Sequence, residues 1–275
     1  MNYQVLNFLT RKENLKTDFN SLVSALVTTY NGECYVERAV ESLLNQTYTN
    51  IEIIVIDDAS QDKTKQLLNK KYEKNQKVKI INLEKNCGLG NACKLGVQKA
   101  NGKFFIRCDD DDFLNERIIE KSVEVFNEYP DVSFVYSDYY LVDENKKITG
   151  YVLLDEFSLQ IVNHPGLIAT GVVFKTEDIL DAGGYDGNLR CQEIYDLYIR
   201  LCWLKNKKGK HLNEKLFYYT RRSNQITSNN ERLLSANRYI SLKYNLDEKK
   251  LINTQDIVNY YVNIINNFGG NDAEK

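Results

Sequence analysis

Apolar and polar positions fall into blocks along the chain, and the period changes from block to block. Residues 22–28, 51–56, 78–83 and 103–108 are short apolar runs, the second almost wholly β-branched, and they have the length of strands buried on both faces. Between them apolar residues recur at helical spacing. Val36, Ala39, Val40, Leu43 and Leu44 follow the first run, and helix-like stretches reach to about Tyr72 and Ala100 after the second and third. Ser60 and Asp62 supply N-terminal signals for the second of these helices. A helix over 115–128, closed by Tyr129-Pro130, and a strand over 132–137 come next. This succession predicts an α/β fold with a mainly parallel central sheet flanked by helices and joined by right-handed crossovers.

The pattern loosens beyond that strand. Residues 139–151 read as extended chain that turns at 143–147, and His164-Pro165-Gly166 leads into a strand over 167–174. Thr176 opens a short helix that stops at Gly183-Gly184. Over 192–204 a helix is predicted with Ile194, Leu197, Tyr198 and Leu201 on one face and Glu193, Asp196 and Arg200 on the other. A strand over 212–219 ends in a polar loop at Arg221-Arg222. From about Asn229 the chain reads as helices, where Ile257, Tyr261, Ile264, Ile265 and Phe268 form a stripe with no basic border. Such a stripe suits core packing or a homodimer contact better than a membrane anchor. Residues 1–20 show no period. The expected organisation is an N-terminal arm (1–20), a main domain (21–228) with halves at 21–138 and 139–228, and a C-terminal helical extension (229–275).

Composition narrows the function classes. A formal net charge of -2 over 275 residues, without a cluster of Lys and Arg, excludes an electrostatic footprint for nucleic acid. The six cysteines are scattered, with no C-x-x-C pair, which predicts reduced core thiols. No signal-peptide core is present near the amino terminus, and no stretch approaches the ~20 apolar residues of a membrane span, so a cytoplasmic protein is expected.

Candidate chemistry collects where apolar runs end. Asp57-Asp58 closes the second run, and Asp109-Asp110-Asp111-Asp112 closes the fourth. In open α/β sheets, ligands bind outside the carboxyl ends of strands. Four adjacent carboxylates repel one another, which favours a hard cation with oxygen ligands; the competing reading is a solvated acidic turn that caps the next helix. Asn86-Cys87-Gly88-Leu89-Gly90-Asn91, at a strand-to-helix turn, could offer backbone N–H groups to an anion, although its spacing is neither a Walker loop nor a dinucleotide fingerprint and a plain tight turn is the commoner meaning. His164 and His211 lack metal-ligand spacing and read as structural.

Several of these segments occur together in a recognisable order. Thr28-Thr29-Tyr30-Asn31, Leu44-Asn45-Gln46-Thr47-Tyr48, IEIIVIDDASQDKT, the loop from Asn86 to Gly96, DDDDF, GLIATGVVFKTEDILDAGGYD and QEIYDLYIRL together resemble a family 2 glycosyltransferase over roughly residues 21–227. The resemblance implies a GT-A fold and inverting transfer of a sugar from a nucleoside-diphosphate donor, preferably a UDP-sugar. The acceptor would be a hydroxyl of a glycan, lipid-linked or protein substrate in polysaccharide or cell-surface glycan synthesis. Mn²⁺ or Mg²⁺ is the implied cofactor, and peripheral association with the inner face of a membrane is compatible with it.

By the same resemblance Thr28 and Tyr30 flank the base, and Asp57, with Asp58 beside it, accepts from the base. Asp109 serves the ribose or the metal, Asp110 is the variable middle position, and Asp111 is the direct metal ligand. Lys94 and Arg222 face the diphosphate, with Arg222 standing where members often carry a histidine. One departure matters: the catalytic aspartate of the pattern aligns with Ile194. Glu193 is then the first candidate base and Asp196 the second, against structural roles in the helix dipole and an Asp196–Arg200 pair. The alternative function is a catalytically impaired module that still binds nucleotide sugar. A nucleotidyltransferase would need a basic, glycine-rich loop where this chain has Tyr30-Asn31-Gly32-Glu33.

Overall fold

The four apolar runs become the adjacent parallel strands of one side of the sheet: β1 (Val23–Thr29), β2 (Ile51–Asp57), β3 (Val78–Asn82) and β4 (Phe104–Asp109). They lie in the order β3-β2-β1-β4, and the crossovers run through α1 (Val36–Leu44), α2 (Thr64–Tyr72) and α3 (Leu89–Lys99). The computed structural model describes residues 20–159, 170–222 and 230–246. All seven residues of β1 are buried, as expected of a central strand beneath α1 and α3. Gly96 lets α3 approach β1 closely, since a Cβ there would strike the Leu26 side chain.

After β4 the sheet continues through β8 (Val173–Lys175), β6 (Val132–Val142), β9 (Lys208–Thr220) and β5 (Phe113–Leu114). The β6–β9 ladder is parallel, whereas β4–β8, β6–β8 and β5–β9 are antiparallel and short. The sheet is thus mixed, with its long ladders mainly parallel. β6 runs five residues past the expected end and turns back into β7 (Ile148–Val152). In that turn the Asp143 carboxylate accepts the N–H groups of Asn145 and Lys147. β5, two residues long, has no readable period. α4 (Ile118–Glu128) covers β6, and its Phe126 stacks on Phe104 at 4.5 Å between ring centroids.

The helix expected over 192–204 is two elements: α6 (Glu193–Tyr198) and a π-helical turn, Ile199–Leu204. Its polar face is not solvated. Glu193 and Asp196 are both buried, and Lys243 and Tyr244 of α7 (Asn230–Tyr244) bond to Asp196. α5 (Thr176–Asp181) ends at Gly183 and Gly184, both with left-handed φ.

None of the six cysteines is paired; four are buried, Cys87 is partly buried and Cys34 is exposed, so Cys34 is not a core thiol. Among the described residues no helix is long and apolar enough to cross a membrane. The N-terminal arm, His164 and the apolar stripe from Ile257 to Phe268, with the homodimer expectation it carried, lie outside the described residues.

Candidate functional site

Parallel register brings the acidic strand ends together. Thr28 pairs with Asp109 and Thr29 with Asp57, so the carboxyl ends of β2, β1 and β4 form one edge. Tyr30 is exposed just beyond β1, and Thr28 is buried. The loops after β1 and β2 are laced to each other: Asn31 N–H donates to Ser60 Oγ, Gln61 N–H to Asn31 Oδ1, and Lys63 N–H to a Glu33 carboxylate oxygen. One oxygen of Asp57 accepts the Ser60 N–H. Both oxygens of Asp58 are engaged, by the N–H groups of Cys87 and Gly88 at 2.7 and 2.8 Å. That settles the glycine loop: those N–H groups face Asp58 rather than an anionic ligand.

The four aspartates diverge in environment. Asp112 is buried, accepts the Thr220 N–H and the Thr170 hydroxyl, and so ties β4 to the end of β9. Burial, followed by the charges of Asp111 and Asp109, raises its carboxyl well above the usual range. Asp110 accepts the Thr29 hydroxyl at 2.6 Å, and burial together with the Asp111 charge pushes it up to about 7. Asp111 meets Arg222 Nε at 2.7 Å, while its backbone carbonyl accepts from Arg38. Burial raises the Asp111 carboxyl, and Arg222 opposes that rise. The Arg222 guanidinium also lies over the Tyr35 ring, 4.8 Å from its centroid.

Hard oxygen donors at Asp109 and Asp111 fit Mn²⁺ or Mg²⁺. Asp109 is ion-paired to Arg107, whose Nε lies 2.8 Å from Oδ1, and its side chain remains 29% exposed, so a cation bound there would share this carboxylate with the guanidinium. No three His, Cys, Asp or Glu side chains among the described residues form a closed cage.

The acceptor-side candidates separate clearly. Glu193 begins α6 directly after Gln192, which has a left-handed φ of 60°. Its Oε1 accepts Arg107 Nη1 at 2.6 Å, while its Oε2 is buried and unpartnered among the described residues. Asp196 is saturated. Arg200 donates twice to Oδ2 at 2.9 and 2.7 Å, and Lys243 Nζ and Tyr244 Oη reach Oδ1 at 2.8 and 2.7 Å. A fully enclosed carboxylate with four donors is an anchor for α7, so the structure removes Asp196 from the candidate bases. Lys94 is also displaced from its expected place. It lines a separate cleft of about 360 Å³ with Asp186, Arg200 and Lys243, to which neither the aspartate run nor Arg222 contributes.

Two arginines escaped the sequence reading. Arg38 looked like the polar face of an amphipathic helix, yet it bonds the Asp111 carbonyl and Thr220 Oγ1 and sits over Phe113. Arg107 stood in plain view, a lone cation inside an apolar strand, which demands a buried partner. His211 is structural as expected: its Nε2 pairs with Asp138 Oδ1 at 2.8 Å and its ring stacks on Tyr136.

Comparisons with known proteins bear on the fold and the family. The structure of Staphylococcus aureus TarS residues 1–349 in complex with UDP-GlcNAc matches with a TM-score of 0.67 and 21% identity, over 90% of this chain and 73% of that one. A mannosyltransferase from Pyrobaculum calidifontis, in complex with GDP-Man and Mn²⁺, matches with a TM-score of 0.64 and 14% identity, over 87% of this chain and 71% of that one. The fold is therefore that of the GT-A glycosyltransferases. An uncharacterized glycosyltransferase of Haemophilus influenzae is 38% identical over 102 residues, 37% of this chain and 41% of the relative. The chondroitin synthase of Escherichia coli is 28% identical over 200 residues, 70% of this chain and 28% of the relative. The chain thus spans less than half the length of these two relatives. The family model described as Glycosyl transferase family 2 matches residues 24–170, which carry the β1, β2 and β4 strand ends and all four aspartates of the run, and this chain belongs to that family.

Proposed function

We propose that this chain is an inverting glycosyltransferase that moves a sugar from a nucleoside-diphosphate donor, by preference a UDP-sugar, to a hydroxyl of a glycan, lipid-linked or protein acceptor in the assembly of a polysaccharide or cell-surface glycan. The observation that carries this reading is the convergence of Thr28, Asp57, Asp109 and the Asp111–Arg222 pair at one sheet edge, linked through Arg107 to a buried carboxylate with one oxygen unengaged. In this proposal Asp57 accepts from the base, Thr28 and Tyr30 flank it, and Asp109 meets the ribose or the cation. Asp110 keeps the role its bond to Thr29 suggests, that of bracing the strand ends.

Mn²⁺ or Mg²⁺, held by Asp111 and Asp109, stabilises when bound the negative charge of the departing diphosphate. Arg222, on leaving Asp111, presents its planar fork to the phosphates. Glu193 takes the proton from the acceptor hydroxyl as that oxygen bonds to the anomeric carbon, and the electron pair of the broken carbon–oxygen bond leaves with the diphosphate. Support comes from the nucleotide sugars named with the two similar structures, UDP-GlcNAc with TarS and GDP-Man with the mannosyltransferase.

The test is release of nucleoside diphosphate from a panel of UDP-, GDP- and dTDP-sugars, with Mn²⁺ and then with EDTA. One donor is expected to be hydrolysed in a metal-dependent way, with the rate in Asp111→Ala lower by about 100-fold or more. Failure to bind any of these nucleotides would refute the proposal. A second reading, a nucleotide-sugar-binding module without turnover, is favoured by Ile194 standing where the catalytic aspartate aligns and by the Arg107 bond to Glu193. Under it Glu193→Gln binds donor as wild type does and neither protein releases product.

A further inference from the structure

The acidic strand end and the acceptor-side helix meet through one side chain. In β4 residues two apart share a face, so Arg107 projects on the same side as Asp109. Its side chain is only 4% exposed. Nη1 donates to Glu193 Oε1 at 2.6 Å and lies 3.3 Å from Cys93 Sγ, while Nη2 donates to Asp109 Oδ2 at 3.1 Å. Nε stands 2.8 Å from Asp109 Oδ1, an ion-pair contact whose angle is off a hydrogen bond. On another side the guanidinium carbon is 6.0 Å from the centroid of the Tyr185 ring. Burial pushes the Cys93 thiol up to about 12, so it is a neutral neighbour and the charged partners are the two carboxylates alone.

We infer that Arg107 is a positioning residue that couples the base to the donor site: it grips Glu193 by Oε1 and so leaves Oε2 for the acceptor hydroxyl, while its other edge holds Asp109. The inference rests on the reading of Glu193 as the base and goes beyond it by naming what aims that base. A buried carboxylate oxygen with no donor is costly, and in this inference the O–H of an acceptor sugar would supply the donor at Oε2. The cluster holds one cation and two anions. Of the two carboxylates Asp109 is the more open, its side chain 29% exposed, whereas that of Glu193 is 3% exposed. Through the shared guanidinium, a change in what Asp109 binds reaches Glu193 directly. Lysine cannot replace this: one ammonium cannot span both carboxylates as a planar fork does.

The experiment compares wild type with Arg107→Lys, Arg107→Met, Glu193→Gln and the double variant Arg107→Met/Glu193→Gln. It uses the sugar nucleotide of the panel that wild type hydrolyses fastest, reading kcat, the donor KM and the melting temperature. Arg107→Lys is expected to melt within a few degrees of wild type and to lose roughly 10- to 100-fold in kcat, with donor KM changed less than about threefold. The double variant is expected to be no slower than Glu193→Gln by more than about threefold, because Arg107 has nothing left to aim. Glu193→Gln also removes the need for a counter-charge, so it is expected to restore part of the melting temperature that Arg107→Met loses. Turnover of Arg107→Lys within twofold of wild type, a loss confined to KM, or losses that multiply in the double variant would overturn the inference while the base assignment stood. Full turnover in Glu193→Gln would overturn both.

Discussion

The sheet has two sides that use charge in opposite ways. From β1 to β4 the strands are mainly apolar and aspartates collect at or just beyond the carboxyl ends of β2 and β4, where backbone N–H groups and hydroxyls meet them: Asp57 with Ser60, Asp58 with Cys87 and Gly88, Asp110 with Thr29. From β6 to α7 several carboxylates lie inside and are matched by polar or charged side chains: Asp196 with Arg200 and Lys243, Asp138 with His211, Glu193 with Arg107. The first arrangement holds carboxylates side by side along one sheet edge. The second ties remote parts of the chain together, so its charges contribute to stability only while every partner is present. Glu193 is the point where the two meet, since its partner belongs to β4.

The largest effect that would test this contrast is on folding. Asp196→Ala takes the carboxylate from Arg200 and one of two from Lys243, which keeps Asp186, and a loss of ~3 kcal/mol is expected, which lowers the melting temperature by roughly 6 °C or more. An unchanged melting curve would show that α7 is anchored elsewhere. Next comes Gly96→Val, whose side chain must displace Leu26 beneath α3 at a cost of about 2 kcal/mol; chemical denaturation reads it directly.

On the donor side the expected changes are functional and leave stability nearly intact. Arg222→Ala is expected to weaken nucleoside-diphosphate binding by about 10-fold, measured by calorimetry, as loss of one charge-assisted contact predicts. The smallest effect is a pH dependence. Burial pushes the Asp186 carboxyl up, but its bonds from Lys243, Asn188 N–H and Tyr239 outweigh that and hold it at about 2. A carboxyl depressed in the folded state contributes stability above its ordinary value of 3.8, and that contribution fades as pH falls through about 2. Asp186→Asn is therefore expected to flatten the acid limb of a denaturation series between about pH 4 and 2, with little change near neutrality.

Much of this was legible in the residues alone. The β-branched run of β2, the helical spacing of α1 and the acids that end β2 and β4 are local signals, because side-chain period is set by backbone geometry. The same local logic explains what was misread. Asp196 falls on the polar side of a helix by spacing, and spacing cannot say whether that side meets water or α7. Lys94 follows the glycine loop in sequence but turns toward Asp186, Arg200 and Lys243.

By itself the sequence determined much of the strand and helix succession and the acids that close β2 and β4. Only the tertiary structure decided that Asp196 anchors α7, that Asp58 holds the glycine loop, and that Arg107 stands between Asp109 and Glu193. The physical reason is range: a strand end is written in consecutive residues, whereas the Arg107–Glu193 bond joins side chains 86 positions apart, and only the packing of α6 against β4 brings them within 2.6 Å.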